Sequence, residues 1–228
     1  MQNCVKDIRL WMEHEKPLLN DEKTEFLFIG TRQQLSKINI SSITVGNSNV
    51  MRSSDVKNLG VFIDGKLSMN SHINKICSPS FYYLHNIKRI RKHLSRTSTE
   101  TLVHAFVSSR LDYCNSLLYG LPQAQIGKIQ RVQNAAARLI FKQPKFSHIT
   151  PVLHQLHWLP IKYRIEFKIL LLTFKAIHGM APDYICKLIS RKSLTRYSLR
   201  SSQVLSTLGG RAFCYAAPKL WNNLPCKI

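Results

Sequence analysis

The residues with most chemistry to offer in this sequence are cations. Lys88, Arg89, Arg91, Lys92 and Arg96 fall within nine positions, and Lys128, Arg131, Arg138 and Lys142 recur through a second stretch. At about 100° of turn per helical residue, the second set lies within an arc of roughly 80°. Such a stripe is either a solvated helix face or a surface for phosphates. The charge balance of the whole chain favours the second reading: 33 Lys+Arg against 12 Asp+Glu in 228 residues, a formal +21. Residues 1–64 hold 8 basic and 8 acidic side chains, whereas residues 65–228 hold 25 and 4. A block charged in this way repels itself unless a polyanion neutralises it. Nucleic acid is the first candidate, because phosphate contacts dominate its affinity. An anionic membrane surface is the second, and the weaker one, since no helical stretch pairs a basic face with a bulky aromatic one.

Other chemistries find little support. His154 and His157 are three apart, but no glutamate stands beside them to make H-E-x-x-H, and His14, His72, His85, His93, His104, His148 and His178 are scattered. His157 beside Trp158 reads as a packing or capping residue. Cys114 and His104 lie ten apart on one expected helix, about 15 Å along a straight axis, too far for a nucleophile and its base. The six cysteines include no C-x-x-C, so zinc and redox sites are unsupported and free thiols are expected. Asp21-Glu22 reads as turn and cap chemistry, and Glu13 and Glu15 as solvation of a helix. No run approaches the length of about 20 apolar residues that crosses a membrane.

The elements that must position these residues change character along the chain. Val5 to Met12 is a short amphipathic helix closed by Pro17. Thr24 to Gly30 is a strand, Ile38 to Val45 a second that reaches a hairpin signal at Gly46-Asn47, Val50 to Ser53 its partner, and Lys57 to Ile63 another, stopped by Asp64-Gly65. From Ser71 the pattern is helical. A face through Ile73, Ile76, Phe81, Leu84, Ile87 and Ile90 runs to about Leu94, with Ser78-Pro79 expected to kink or restart it. Thr97-Ser98-Thr99-Glu100 reads as a capping box. Val103, Val107, Leu111, Cys114 and Leu118 then predict one long helix stopped by Gly120. The clearest amphipath is Gln123 to Lys142. Short helices are expected from Pro151 to Leu156 and after Pro182, and a long one from Ile161 to His178. Ser193 to Thr207 reads as loop, and Arg211 to Tyr215 as a strand. The fold class is α+β: a small antiparallel sheet with a helix, then a mostly α-helical region. The expected divisions are 1–66, 67–190 and an irregular, truncated 191–228.

An ordered set of segments resembles the post-catalytic part of a non-long-terminal-repeat retrotransposon reverse transcriptase, of the jockey-like group. Leu18-Leu19-Asn20-Asp21-Glu22-Lys23-Thr24-Glu25 is similar to the "LNxxKTE" segment leading into a palm strand. Val56-Lys57-Asn58-Leu59-Gly60-Val61-Phe62-Ile63-Asp64 is similar to the primer-grip hairpin. Arg110-Leu111-Asp112-Tyr113-Cys114-Asn115-Ser116-Leu117-Leu118, Leu156-His157-Trp158-Leu159-Pro160-Ile161, Tyr163-Arg164-Ile165-Glu166-Phe167-Lys168 and Ala217-Pro218-Lys219-Leu220-Trp221-Asn222-Asn223-Leu224-Pro225 continue the match in order.

The resemblance implies the palm's tail and the thumb of an RNA-directed DNA polymerase, gripping RNA or an RNA–DNA duplex in the nucleus. Polymerisation needs carboxylates that hold Mg²⁺ on the reacting oxygens. The family takes them from an early palm aspartate and an aromatic-x-Asp-Asp turn, and this sequence has no Asp-Asp. The chain is therefore expected to be inactive alone, with no cofactor of its own, and to lack the fingers and front of the palm. In an intact enzyme Lys23 would border the active site, where it could give a proton to departing pyrophosphate; otherwise it is a surface lysine beside a strand. The phosphate contacts expected are the nine cations named above. Against this stand a self-contained basic helical module that binds nucleic acid or protein, and a new enzyme.

Overall fold

The computed structural model describes residues 2–14, 23–45, 48–190, 198–200 and 209–225. The chain forms two compact units, Met1–His72 and Ile73–Ile228. The class is α+β, with small antiparallel strand pairs in the first unit and helices in the second.

The first unit begins with helix α1 (Gln2–His14), in which Met12 is half-buried while Ile8, Leu10 and Trp11 stay exposed. Pro17 and the Asp21-Glu22 pair lie outside the described residues. Helix α2 (Arg32–Ser36) starts at a reciprocal cap, Thr31 Oγ1 accepting from Gln34 N–H and Gln34 Oε1 from Thr31 N–H. Strands β1 (Ser42–Val45) and β2 (Ser48–Met51) pair antiparallel, with Val45 opposite Ser48; their turn, Gly46-Asn47, is outside the described residues. The expected strand over Thr24–Gly30 does not form a ladder. Its backbone is divided between two distant segments, Phe26 O accepting from Ser53 and Gly30 N–H donating to Gly65, so each pairing is a single point.

The single strand expected over Lys57–Ile63 is instead a hairpin of β3 (Asp55–Asn58) and β4 (Val61–Asp64). Leu59 (φ 46°) and Gly60 (φ 84°) make the two-residue turn, both left-handed as this tight reversal requires. The leucine hid the turn, because a side chain with a Cβ rarely takes that conformation. After β4 the chain is held by Asp64. Its carboxylate accepts from the N–H groups of Lys66, Ser68 and Met69 and from the Ser68 hydroxyl. Burial pushes this carboxyl up, but the hydrogen bonds together outweigh burial and hold it below its ordinary value.

The second unit is organised around two long helices. In α3 (Asn70–Ile90), Ile73, Ile76, Ser80, Leu84 and Ile87 form the buried line. Pro79 was expected to interrupt it. The helix runs on through the proline, and Ser80 Oγ, buried beside it, donates to Ile76 O at 2.7 Å. Helix α4 (Arg96–Val103) is capped two residues earlier than the Thr97 box: Ser95 Oγ accepts from Ser98 N–H, and Thr99 turns inward to donate to Ser95 O.

The long helix expected through Leu118 is broken twice. A π-helical segment over His104–Ser108 leads into α5 (Ser109–Asp112), and Cys114 then turns left-handed (φ 51°). The wide turn has a physical reason. Val103, Val107 and Leu111 are four apart, a spacing that drifts round an α-helix, and i→i+5 bonding admits the extra residue and keeps all three buried.

Helix α6 (Gln123–Phe141) supplies the centre of the core, with Ile129, Val132, Ala137 and Ile140 almost wholly enclosed. Helices α7 (Thr150–Gln155), α8 (Ile161–Ile177) and α9 (Asp183–Cys186) each start beside a proline. The expected strand over Arg211–Tyr215 is instead the start of α10 (Phe213–Asn222), which packs on α8 and so removes residues 213–222 from the irregular tail. Small residues decide this: Ala216 and Ala217 are buried and allow close approach. Most of the loop read over Ser193–Thr207 lies outside the described residues.

Several of the segments singled out in the sequence act here as fasteners. Asp112 accepts two hydrogen bonds from Arg164 Nη1, at 3.0 and 2.8 Å, while Arg164 Nε donates to Leu159 O. The Asn222 amide both donates to Leu199 O and accepts from Leu199 N–H, holding a buried leucine. His157 is the left-handed residue (φ 53°) that ends α7: Trp158 N–H donates to Leu153 O and His157 N–H to His154 O, the Schellman pattern. Its role is capping, as its place beside Trp158 suggested.

Candidate nucleic-acid interface

A cleft of about 490 Å³ opens between the C-terminal ends of α3 and α6. Lys88 and His85 line it from α3, Arg138 from α6, and Lys142 and Lys145 from the segment that follows α6. Arg91 closes its floor. No carboxylate is among the residues that line it. The helix ends explain part of this gathering, because cations near a helix C-terminus are favoured by its partial negative charge.

The cleft joins the two stretches of cations identified in the sequence, though not all of them. Lys88 and Arg91 come from the first and Arg138 and Lys142 from the second. Arg89 and Lys92 are exposed away from it. Arg96 lies with its guanidinium carbon 3.9 Å from the centroid of the Phe141 ring. Lys128 and Arg131 sit about two turns or more before Arg138 along α6. Lys128 Nζ is 3.4 Å from Asn74 Oδ1. Burial pushes the neighbouring Cys77 thiol up, opposed by the charges of Lys128 and Arg131. Lys23 is exposed in the first unit.

Arg91 is a correction. It was expected to meet phosphate, but it is only 8% exposed and its guanidinium is occupied. Nε donates to Leu139 O at 3.0 Å, Nη2 to Ile140 O at 2.8 Å and Nη1 to Leu94 O at 2.7 Å. Two of these carbonyls belong to the last turn of α6, where Leu139 O otherwise accepts only a long 3.4 Å bond from Lys142 N–H. Arg91 is thus a cap that one helix places on another.

Arg138 is different. Its Nη2 donates to Ser147 O at 3.1 Å, but its Nε is buried with no hydrogen-bond partner. A buried charged donor left unpaired is costly. Lys142 adds a second sign of compromise. It takes the left-handed conformation (φ 55°) that ends α6, its N–H donating to Leu139 O and that of Gln143 to Arg138 O. Glycine is the residue suited to that position. Lys142→Gly is therefore expected to stabilise the fold by about 0.5 kcal/mol in urea unfolding, since relief of a strained residue is partly offset by glycine's larger unfolded freedom.

Sequence reasoning missed Lys145 and gave His85 no role here. His85 had a signal, lying three residues before Lys88 and hence on the same side of α3. Lys145 had none beyond its charge. Among the described residues no group of three or more His, Cys, Asp or Glu is placed to hold a metal ion, and no helix is long and apolar enough to cross a membrane. Cys4, Cys77, Cys114, Cys186 and Cys214 carry free thiols. No family model, no curated protein and no solved structure matches the chain.

Proposed function

We propose that this chain grips a nucleic-acid duplex by its phosphate backbone, as the palm-tail and thumb portion of a retroelement RNA-directed DNA polymerase. The observation that carries the binding is a cleft lined by Lys88, Arg138, Lys142 and Lys145, with no carboxylate among the described residues that line it. A polymerase must accept any sequence, and backbone contacts position a duplex without reading it. The polymerase assignment rests on the ordered motifs of the sequence and on a β3–β4 hairpin where the primer grip is expected. In such an enzyme the fingers and the front of the palm would supply the carboxylates that hold Mg²⁺, and the work would be done in the nucleus. This chain alone would incorporate no nucleotide.

The test is a salt titration of binding to a blunt RNA duplex and an RNA–DNA hybrid of unrelated sequences. Affinity should fall steeply and linearly in log–log form, by about 0.9 per phosphate contacted, and alike for each sequence. Binding that is unchanged between low and high salt would count against the reading. A self-contained module is favoured by one observation, that Ile73–Ile228 has its own core. Limited proteolysis that leaves a stable, binding-competent 73–228 core would support that module.

A further inference from the structure

The mechanism of gripping leaves one surface of the helical unit unused. Tyr82 is 64% exposed and Phe106 42%, large apolar side chains that a monomer gains nothing by showing to water. They are ordered into a stack. Tyr83 lies almost parallel to Phe106, with centroids 5.1 Å apart and planes at 21°, and meets Tyr82 edge-on at 5.7 Å. Arg110 covers the same ring, its guanidinium carbon 5.1 Å from the Tyr83 centroid. Phe106 is carried by the π-helical segment that interrupts the helix.

We propose that Tyr82, Tyr83, Phe106 and Arg110 form a stacking platform for unpaired bases of single-stranded nucleic acid. This rests on the nucleic-acid reading of the cleft and extends it to a second kind of contact. Aromatic rings beside a guanidinium bind bases without regard to sequence, because every base has a π-face. A protein partner is the other chemistry such rings could suit. Residues 65–228 carry only 4 acidic side chains among 25 basic ones, and that imbalance favours a polyanion as the occupant. The position also fits. Lys88 and Tyr82 are six residues apart, about 120° round the exposed side of α3, past His85 and Arg89, and about 9 Å along it. A duplex held at the cleft could therefore pass its single-stranded end over the outer face of α3 to the rings.

The experiment compares the full chain on a blunt duplex and on the same duplex with a short single-stranded extension containing 2-aminopurine. The extension should raise affinity about tenfold and its fluorescence should be quenched on binding. The Tyr82→Ala, Phe106→Ala double variant should bind the blunt duplex as wild type does and lose both the gain and the quench. Phe106→Leu keeps apolar bulk without a ring and guards against a folding defect; it should lose most of the quench. An extension that adds nothing to blunt-duplex binding, or a gain that survives in the variants, overturns the platform alone. Self-association that the same substitutions abolish, with no gain from the extension, gives the face to a second copy and overturns it too. Failure to bind even the blunt duplex overturns the cleft reading and the platform with it.

Discussion

Arg91→Ala is expected to cost about 3–5 kcal/mol of stability, read as a lowered urea midpoint. The change removes three donors at once, all of them charge-assisted and all directed at carbonyls. Each such bond contributes on the order of 1.5–3 kcal/mol, and the buried Ile140 O would lose its donor while Leu139 O keeps the Lys142 N–H. Part of this gross figure is offset because the guanidinium no longer pays its own desolvation, which is why the net is set well below the sum. A domain of this size has about 5–15 kcal/mol in all, so a fifth or more of it would be lost. Arg91→Lys should recover little, since an ammonium cannot span three carbonyls in the fixed fork of a guanidinium. Lys92→Ala, one residue on and exposed, should stay within about 0.5 kcal/mol of wild type. If Arg91 were a phosphate contact, Arg91→Ala would instead weaken binding and leave the midpoint unchanged. A midpoint unmoved by Arg91→Ala would sink the capping role.

The helical phase that exposes this error was present in the sequence. Continuing the buried line of Ile73, Ile76, Ser80, Leu84 and Ile87 by four residues lands on Arg91. A run of cations invited reading by charge, and the charge concealed the period. Apolar period alone was a reliable guide in α6 and α8 but not throughout α3, where Phe81 and Ile90, read onto the helix face, are exposed. Helices α6 and α8 begin at the residues expected and end one residue sooner. Both have a proline at the start, and both are stopped by a left-handed residue, Lys142 and Gly179.

The failures share a cause: a backbone choice that no side-chain pattern records. Leu59 sits in a conformation that leucine avoids, so the residue pattern reads β3 and β4 as one strand, whereas the resemblance implied a hairpin there. The π-helical segment preserves a spacing of four that looks like ordinary helix. In α10 the alternation of Arg211 to Tyr215 resembled a strand, and what opposes a strand lies downstream, in two alanines whose small size matters only once α8 is known to be opposite. The cleft was half legible for the same reason. Both sets of cations were visible, but their joining at two helix ends, and the arrival of Lys145 beside them, depend on how α3 and α6 pack. The unpaired Nε of Arg138 is a fact of geometry alone.

The cleft itself is tested by removing charge from it without touching its scaffold. Lys88→Gln, Lys142→Gly and Lys145→Gln together spare Arg91 and Arg138, which hold backbone carbonyls. If each lysine neutralises one phosphate, the triple variant should lower the slope of log affinity against log salt by about 2.7. Lines for variant and wild type that converge near 1 M must then stand apart at 0.1 M by roughly 500-fold, uniformly across sequences. A control must separate a local site from the general attraction of a basic protein. Lys128→Gln, Arg131→Gln and Lys168→Gln remove the same charge from positions outside the cleft, and should cost less than about fivefold through the long-range field alone. Equal losses in the two triple variants would show a diffuse electrostatic coat and no interface at the cleft. Misfolding cannot mimic the expected result, because Lys142→Gly should raise stability while affinity falls. That opposition is what a residue kept for its charge, at a position that suits glycine, should show.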